Sequence, residues 1–150
     1  MNDPMRALEG ATNILLMDWP NTEVPRALIE AGFTVFSYSP DRYANAELTQ
    51  DAPQDADEQN VFAPETDDIL GYLVFRPFEG RPESIDIVSV YRPPEEVQAI
   101  IENHVLPLGA TVLWLQPPLT SIDGRRIAEE HGLDFIEGTD IADTARRLGR

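Results

Sequence analysis

Residues 85–116, IDIVSVYRPPEEVQAIIENHVLPLGATVLWLQ, decide the fold class. Ile85, Ile87, Val88, Val90 and Tyr91 form a nearly continuous apolar run, and Thr111 to Leu115 form another. Runs of this kind suit strands buried on both faces, the condition of a parallel sheet covered by helices. Between them lie an Arg-Pro-Pro turn and a helix predicted over 95–106, with Val97, Ile100, Ile101 and Val105 on one face. Strand, helix and strand make one βαβ unit. Ligands of such sheets gather outside the carboxyl ends of the strands, here the turns beginning at Arg92 and Gln116.

The flanking sequence repeats the alternation. A short helix is predicted over 5–9, then a strand at 13–17, NILLM. The turn Asp18-Trp19-Pro20-Asn21-Thr22 supplies a side-chain cap for a helix over 23–31, whose Val24, Ala27, Leu28 and Ala31 recur at helical spacing before Gly32 ends it. A second strand follows at 33–38, FTVFSY. A third is expected at 69–75, ILGYLVF, short or at an edge because of Gly71 and Arg76-Pro77. Beyond the central unit come a helix over 121–131 capped by Ser121, a short strand at 133–137, and a last helix capped by Thr139 with Ile141, Ala145 and Leu148 on one face. Arg146, Arg147 and Arg150 suit the negative end of that helix.

The expectation is a single α/β domain over 1–150, a doubly wound, Rossmann-like parallel sheet of five or six strands in the order 3-2-1-4-5. Leu15 and Val88 should lie on neighbouring strands whose connections leave in opposite directions. A crevice then opens between the turns at 18–23 and 92–95. Residues 41–68, rich in Asp, Glu, Gln, Ala and Pro, read as an acidic insertion that is either a charged surface loop or a lid docking through Tyr43, Val61 and Phe62.

The charge of −16 arises from 27 acidic residues against 11 basic ones, all of them arginine. Such a field opposes any grip on phosphate backbones, so nucleic acid is not an expected partner. A lysine-free acidic surface fits work in concentrated salt, where ions screen self-repulsion; arginine-rich codon usage is the alternative source of the missing lysine. The absence of cysteine excludes disulfides, Cys-ligated zinc, iron-sulfur clusters and thiol nucleophiles. No apolar run is long enough to span a membrane and no signal-peptide pattern opens the chain, so a cytoplasmic protein without a membrane partner is expected.

FTVFSYSP, IDIVSVYRPPEEV, TVLWLQ and the closing GLDFIEGTDIADTARR, in this order, resemble the CoA-binding domain family. These are small Rossmann-like proteins similar to the nucleotide-binding domain of the succinyl-CoA synthetase alpha subunit. The resemblance implies a groove for the adenosine and pyrophosphate of CoA or another ADP-containing nucleotide. It places Ser39 and Pro40 near the ribose or adenine, Arg92 and Pro93 beside the pyrophosphate or adenine, and Gln116 at the far rim. Family members usually carry a longer first loop with glycine or serine just after the first strand. Here that strand runs into Met17-Asp18-Trp19-Pro20, a carboxylate and a residue without an N–H.

Read from the residues themselves, Trp19 can stack on an adenine or plug the shortened crevice, and Asn21 and Thr22 stand at a helix N-terminus that favours anions. Arg92 points into the crevice, either as an anion ligand or in an ion pair with Asp18 or Glu95. Trp114 lies inside a strand and reads as core. His104 and His131 fall near helix C-termini and read as surface residues, Glu95 and Glu96 as ordinary first-turn carboxylates, and Asp67 and Asp68 as a solvated charge run. The chain lacks His-Glu-x-x-His, Gly-x-Ser-x-Gly and Walker motifs, and neither a catalytic residue nor a metal site is expected. Two classes of function remain: a non-catalytic, regulatory binder of CoA or an adenine nucleotide, and a Rossmann-like domain that has lost its ligand and acts through a protein partner. Enzymatic activity is the less favoured reading. Oligomeric state is left open.

Overall fold

The computed structural model describes residues 3–38, 41–64 and 71–149. Five α-helices and eight strands follow one another along them: α1 (Pro4–Glu9), β1 (Asn13–Met17), α2 (Glu23–Glu30), β2 (Thr34–Tyr38), β3 (Tyr43–Thr49), β4 (Val61–Phe62), β5 (Tyr72–Phe78), β6 (Ile87–Val90), α3 (Val97–Ile100), β7 (Val112–Leu115), α4 (Ile122–Glu130), β8 (Asp134–Ile136) and α5 (Ile141–Arg147). A 3-10 turn, Pro94–Glu96, leads into α3, and a π-helical turn, Ile101–Val105, prolongs it.

All eight strands join one sheet in the order β4-β5-β3-β2-β1-β6-β7-β8. From β2 to β8 the neighbours run parallel, and Leu15 of β1 lies opposite Phe36 on one side and Val88 on the other. The doubly wound, Rossmann-like α/β class and its switch point at Leu15 and Val88 therefore stand as the sequence implies. Alternation along β1 explains the two layers. Ile14 and Leu16 pack with residues of α1, α2 and α5, whereas Leu15 packs with residues of α3 and α4.

Strand count and order differ from expectation. The acidic insertion contributes β3 and β4, so β2 is followed in the sheet by β3 and only then by β5. Both β3 and β4 run antiparallel to β5. In β3, YANAELT, Ala44, Ala46 and Leu48 share one face while Asn45, Glu47 and Thr49 take the other, a period of two written in residues of low strand propensity. Burial of Ala44 and Ala46 against the α2 side of the core overrides that propensity. The strand predicted at 69–75 runs Tyr72–Phe78 instead, and its first positions lie outside the described residues. Gly71 opens it at φ +89°, with its missing Cβ only 2.5 Å from the Thr49 carbonyl oxygen, so no other residue fits there without a backbone shift.

One cap also shifts, and another is supplied from within the expected turn. Asp140, rather than Thr139, caps α5 by accepting from the Ala142 N–H at 2.9 Å. At α2 the Asn21 carboxamide accepts from the Glu23 N–H at 3.0 Å, and Thr22 makes no side-chain cap. Ser121 caps α4 as expected, accepting from the Gly124 N–H at 2.8 Å. Among the described residues no helix is long and apolar enough to cross a membrane.

Candidate functional site

The carboxyl ends of β1 and β6 bring Asp18 and Arg92 together. Asp18 is the one non-glycine residue among those described with a positive φ, +68°, a conformation Asp tolerates better than most side chains. That geometry turns its carboxylate back over the loop. Oδ1 accepts from the Trp19 N–H at 2.8 Å and Oδ2 accepts from Arg92 Nη1 at 3.4 Å. Arg92 also forks onto Glu96, through Nη2 at 2.9 Å and Nε at 3.2 Å. The hydrogen bond to Glu96, then that carboxylate's charge, holds the guanidinium above its ordinary value, and Asp18 adds to the effect. The ion-pair partner on the helix is thus Glu96, one residue beyond the expected Glu95.

The consequence is that the donors at the ends of β1 and β6 are already bonded to the protein's own carboxylates. In a Rossmann-like first loop the backbone N–H groups and a nearby cation would face a ligand phosphate. Here the Trp19 N–H and Arg92 face Asp18, Pro20 has no N–H, and the Glu23 N–H is held by Asn21. Pro93 stands exposed at the head of the 3-10 turn. Ser39 and Pro40 lie outside the described residues. Gln116 is buried, with Oε1 accepting from the Ile141 N–H at 2.8 Å and Nε2 donating to Asp140 at 3.2 Å, so its amide serves the start of α5.

Beside the crevice, a cavity of about 500 Å³ opens on the α2 side of the sheet. Trp19 belongs to both, stacking on Phe75 at 4.8 Å between centroids and 15° between planes. Phe62 meets Phe75 edge to face at 5.8 Å. The rim is polar, with Asp41, Arg42, Asp57, Gln59 and Asn60 all drawn from the insertion. Sequence reasoning named Phe62 as a docking residue and Trp19 as a crevice residue, but not this rim. The available signal was two apolar residues, Val61 and Phe62, inside an otherwise polar stretch.

The CoA-binding domain family model matches residues 36–141. This chain belongs to the CoA-binding domain family. The match begins at β2, beyond the first loop that holds Asp18. Solved structures similar to this CoA-binding domain include a protein from Thermus thermophilus (18% identity, TM-score 0.60, covering 95% of this chain and 94% of that one). A hypothetical protein from Pyrococcus horikoshii OT3 is 18% identical with a TM-score of 0.61, over 100% of this chain and 93% of its own. A protein redesigned for binding gives 18% and 0.66, over 99% and 92%. At these identities the likeness shows the fold. No curated protein matches the chain.

One residue of the CoA-binding domain sits differently from its sequence reading. His104 is only 9% exposed, its Nδ1 2.6 Å from the Tyr43 hydroxyl, with Tyr38 tilted against it at 4.4 Å. Tyr43 arrives from β3, so the insertion buries this histidine. Burial lowers the pKa of His104 and, as the first cause, raises that of Tyr43. With the folded pKa below the ordinary value of about 6.5, the unfolded chain takes up the proton first as pH falls. Stability is therefore complete above about pH 6.5 and declines below it until the folded histidine itself titrates. Urea midpoints measured from pH 7.5 to 5.5 should fall in wild type, and His104→Gln should flatten that slope; equal slopes in the two proteins would contradict the assignment.

Proposed function

We propose that this domain is a non-catalytic binder of CoA or another adenine nucleotide, acting as a regulatory or sensing module. The cavity at the carboxyl ends of the strands carries the reading. It is of ligand size, it shares Trp19 with the switch-point crevice, and it combines aromatic walls with a few polar groups. The family membership supports the same ligand class. Trp19 would present its ring to the base, while the α2 N-terminus at Asn21 and Thr22, Arg92 and Pro93 would border the phosphates, with Ser39 and Pro40 on the ribose side. Among the described residues no group of three or more His, Cys, Asp or Glu is placed to hold a metal ion.

In this reading Asp18 is a built-in competitor. A phosphate binding there must displace the carboxylate from Trp19 and Arg92 or endure its charge, worth roughly 1 to 4 kcal/mol at 4 Å depending on screening. Calorimetric titration with ADP and CoA should show weak binding to wild type. Asp18→Gly should tighten it by about tenfold or more, since glycine also accepts φ +68° without strain. Arg92→Ala should weaken it by about 1.5 to 3 kcal/mol. The closed set Asp18, Arg92 and Glu96 also favours the second reading, a ligand-free domain working through a protein partner. Absence of heat with millimolar CoA and ADP, in both wild type and Asp18→Gly, would decide for it.

A further inference from the structure

The insertion cavity carries a more specific statement about the ligand, which rests on the binder reading above. Its floor holds Ser37 of β2, a hydroxyl in a residue only 5% exposed, with no hydrogen-bond partner among the described residues. A hydroxyl that opens onto a cavity is free to bond to an entering ligand in place of water. The walls are Trp19, Phe62 and Phe75. On the rim stand the carboxamides of Gln59 and Asn60, the side-chain type that pairs in bidentate fashion with the N6 and N7 edge of adenine. Across from bare aromatic surface, that set suits a purine.

Asp41 and Asp57 complete the rim, and neither forms an ion pair among the described residues. Asp41 follows the carboxyl end of β2, where an acidic residue in a dinucleotide-binding fold accepts from ribose hydroxyls. A carboxylate accepts hydrogen bonds from hydroxyls but repels a phosphate monoester, which brings about −1.5 to −2 charge at neutral pH. Arg42 is exposed on the same rim, one guanidinium against two carboxylates. We propose that the cavity takes the adenosine end of the ligand, with Asp41 and Asp57 accepting from the ribose hydroxyls, so that the domain selects an adenine nucleotide without a 3′-phosphate. Dephospho-CoA and ADP are then preferred to CoA itself.

The test is calorimetric titration of the whole chain with CoA, dephospho-CoA, ADP and adenosine 3′,5′-bisphosphate at physiological salt. It is repeated with the double variant Asp41→Asn, Asp57→Asn. Both residues are exposed and make no side-chain hydrogen bond among those described, so the variant should fold, which circular dichroism checks. Dephospho-CoA is expected to bind at least about tenfold more tightly than CoA to wild type, and ADP more tightly than the bisphosphate. The double variant should shrink both gaps, mainly by improving the 3′-phosphorylated ligands. CoA binding as well as or better than dephospho-CoA would overturn the proposal, as would a gap that the double variant leaves unchanged. Failure of all four ligands to bind would instead remove the binder reading on which the proposal rests.

Discussion

Replacing Arg26 with alanine is expected to cost about 3 kcal/mol or more of folding stability, because three backbone carbonyls lose their donor in a buried place. Arg26 lies on α2 and is only 4% exposed. Nη1 donates to the Gly71 carbonyl at 3.0 Å, and Nη2 donates to those of Phe62 at 3.0 Å and Ala63 at 3.2 Å. The side chain thereby ties the end of β4 and the start of β5 to the helix that leads out of the crevice. Phe62 also lines the cavity, so any binding there should fall with stability. Lysine should not rescue the loss, since a single ammonium cannot reproduce the planar fork that reaches both sides of the hairpin. Urea unfolding measures the effect. A loss below about 1 kcal/mol would mean that the carbonyls find water once the arginine is gone.

A comparable effect is expected at Trp114, which is 0% exposed in the middle of β7. Its ring packs in the α1, α2 and α5 layer, and Nε1 donates to the Thr139 carbonyl at 2.9 Å. Trp114→Ala should cost about 3 to 5 kcal/mol, the range for truncating a large buried aromatic ring. Trp114→Phe keeps most of the volume and should cost less, with the unpaired Thr139 carbonyl as the main deficit. If phenylalanine proved as damaging as alanine, the hydrogen bond rather than the packing would be the greater part of the contribution.

What the sequence disclosed, and what it withheld, follows from how each residue gains its burial. The strands at Leu15, Val88 and Trp114 announce themselves because two-sided burial demands unbroken apolar runs, and that demand is local. The β1–β6 neighbourhood then follows from right-handed connection rules, which is why the meeting of Asp18 and Arg92 at the ends of these strands was legible. The insertion was not. Ala44, Asn45, Ala46 and Glu47 have weak strand preference, and what holds them in the sheet is pairing with β2 and β5 on either side. Everything that depends on that pairing was hidden with it. His104 is buried only because Tyr43 comes to rest against it, and Arg26 only because its acceptors are carbonyls 36 to 45 positions away in the chain. The cavity rim shares this origin, since Asp41 and Asp57 come to line one cavity only through β3 and the turn before β4.

The chain's two tryptophans provide the most direct check on ligand binding at this site. Trp19 borders both the crevice and the cavity, while Trp114 is sealed in the core with its indole N–H committed to Thr139. Nitrogen-15 correlation spectra recorded during titration with ADP and dephospho-CoA, with Trp19→Phe to assign the indole signals, separate the two. The account predicts that the Trp19 indole resonance moves progressively with added ligand while the Trp114 resonance stays in place. Neither resonance moving at millimolar ligand, in wild type and in Asp18→Gly alike, would contradict it.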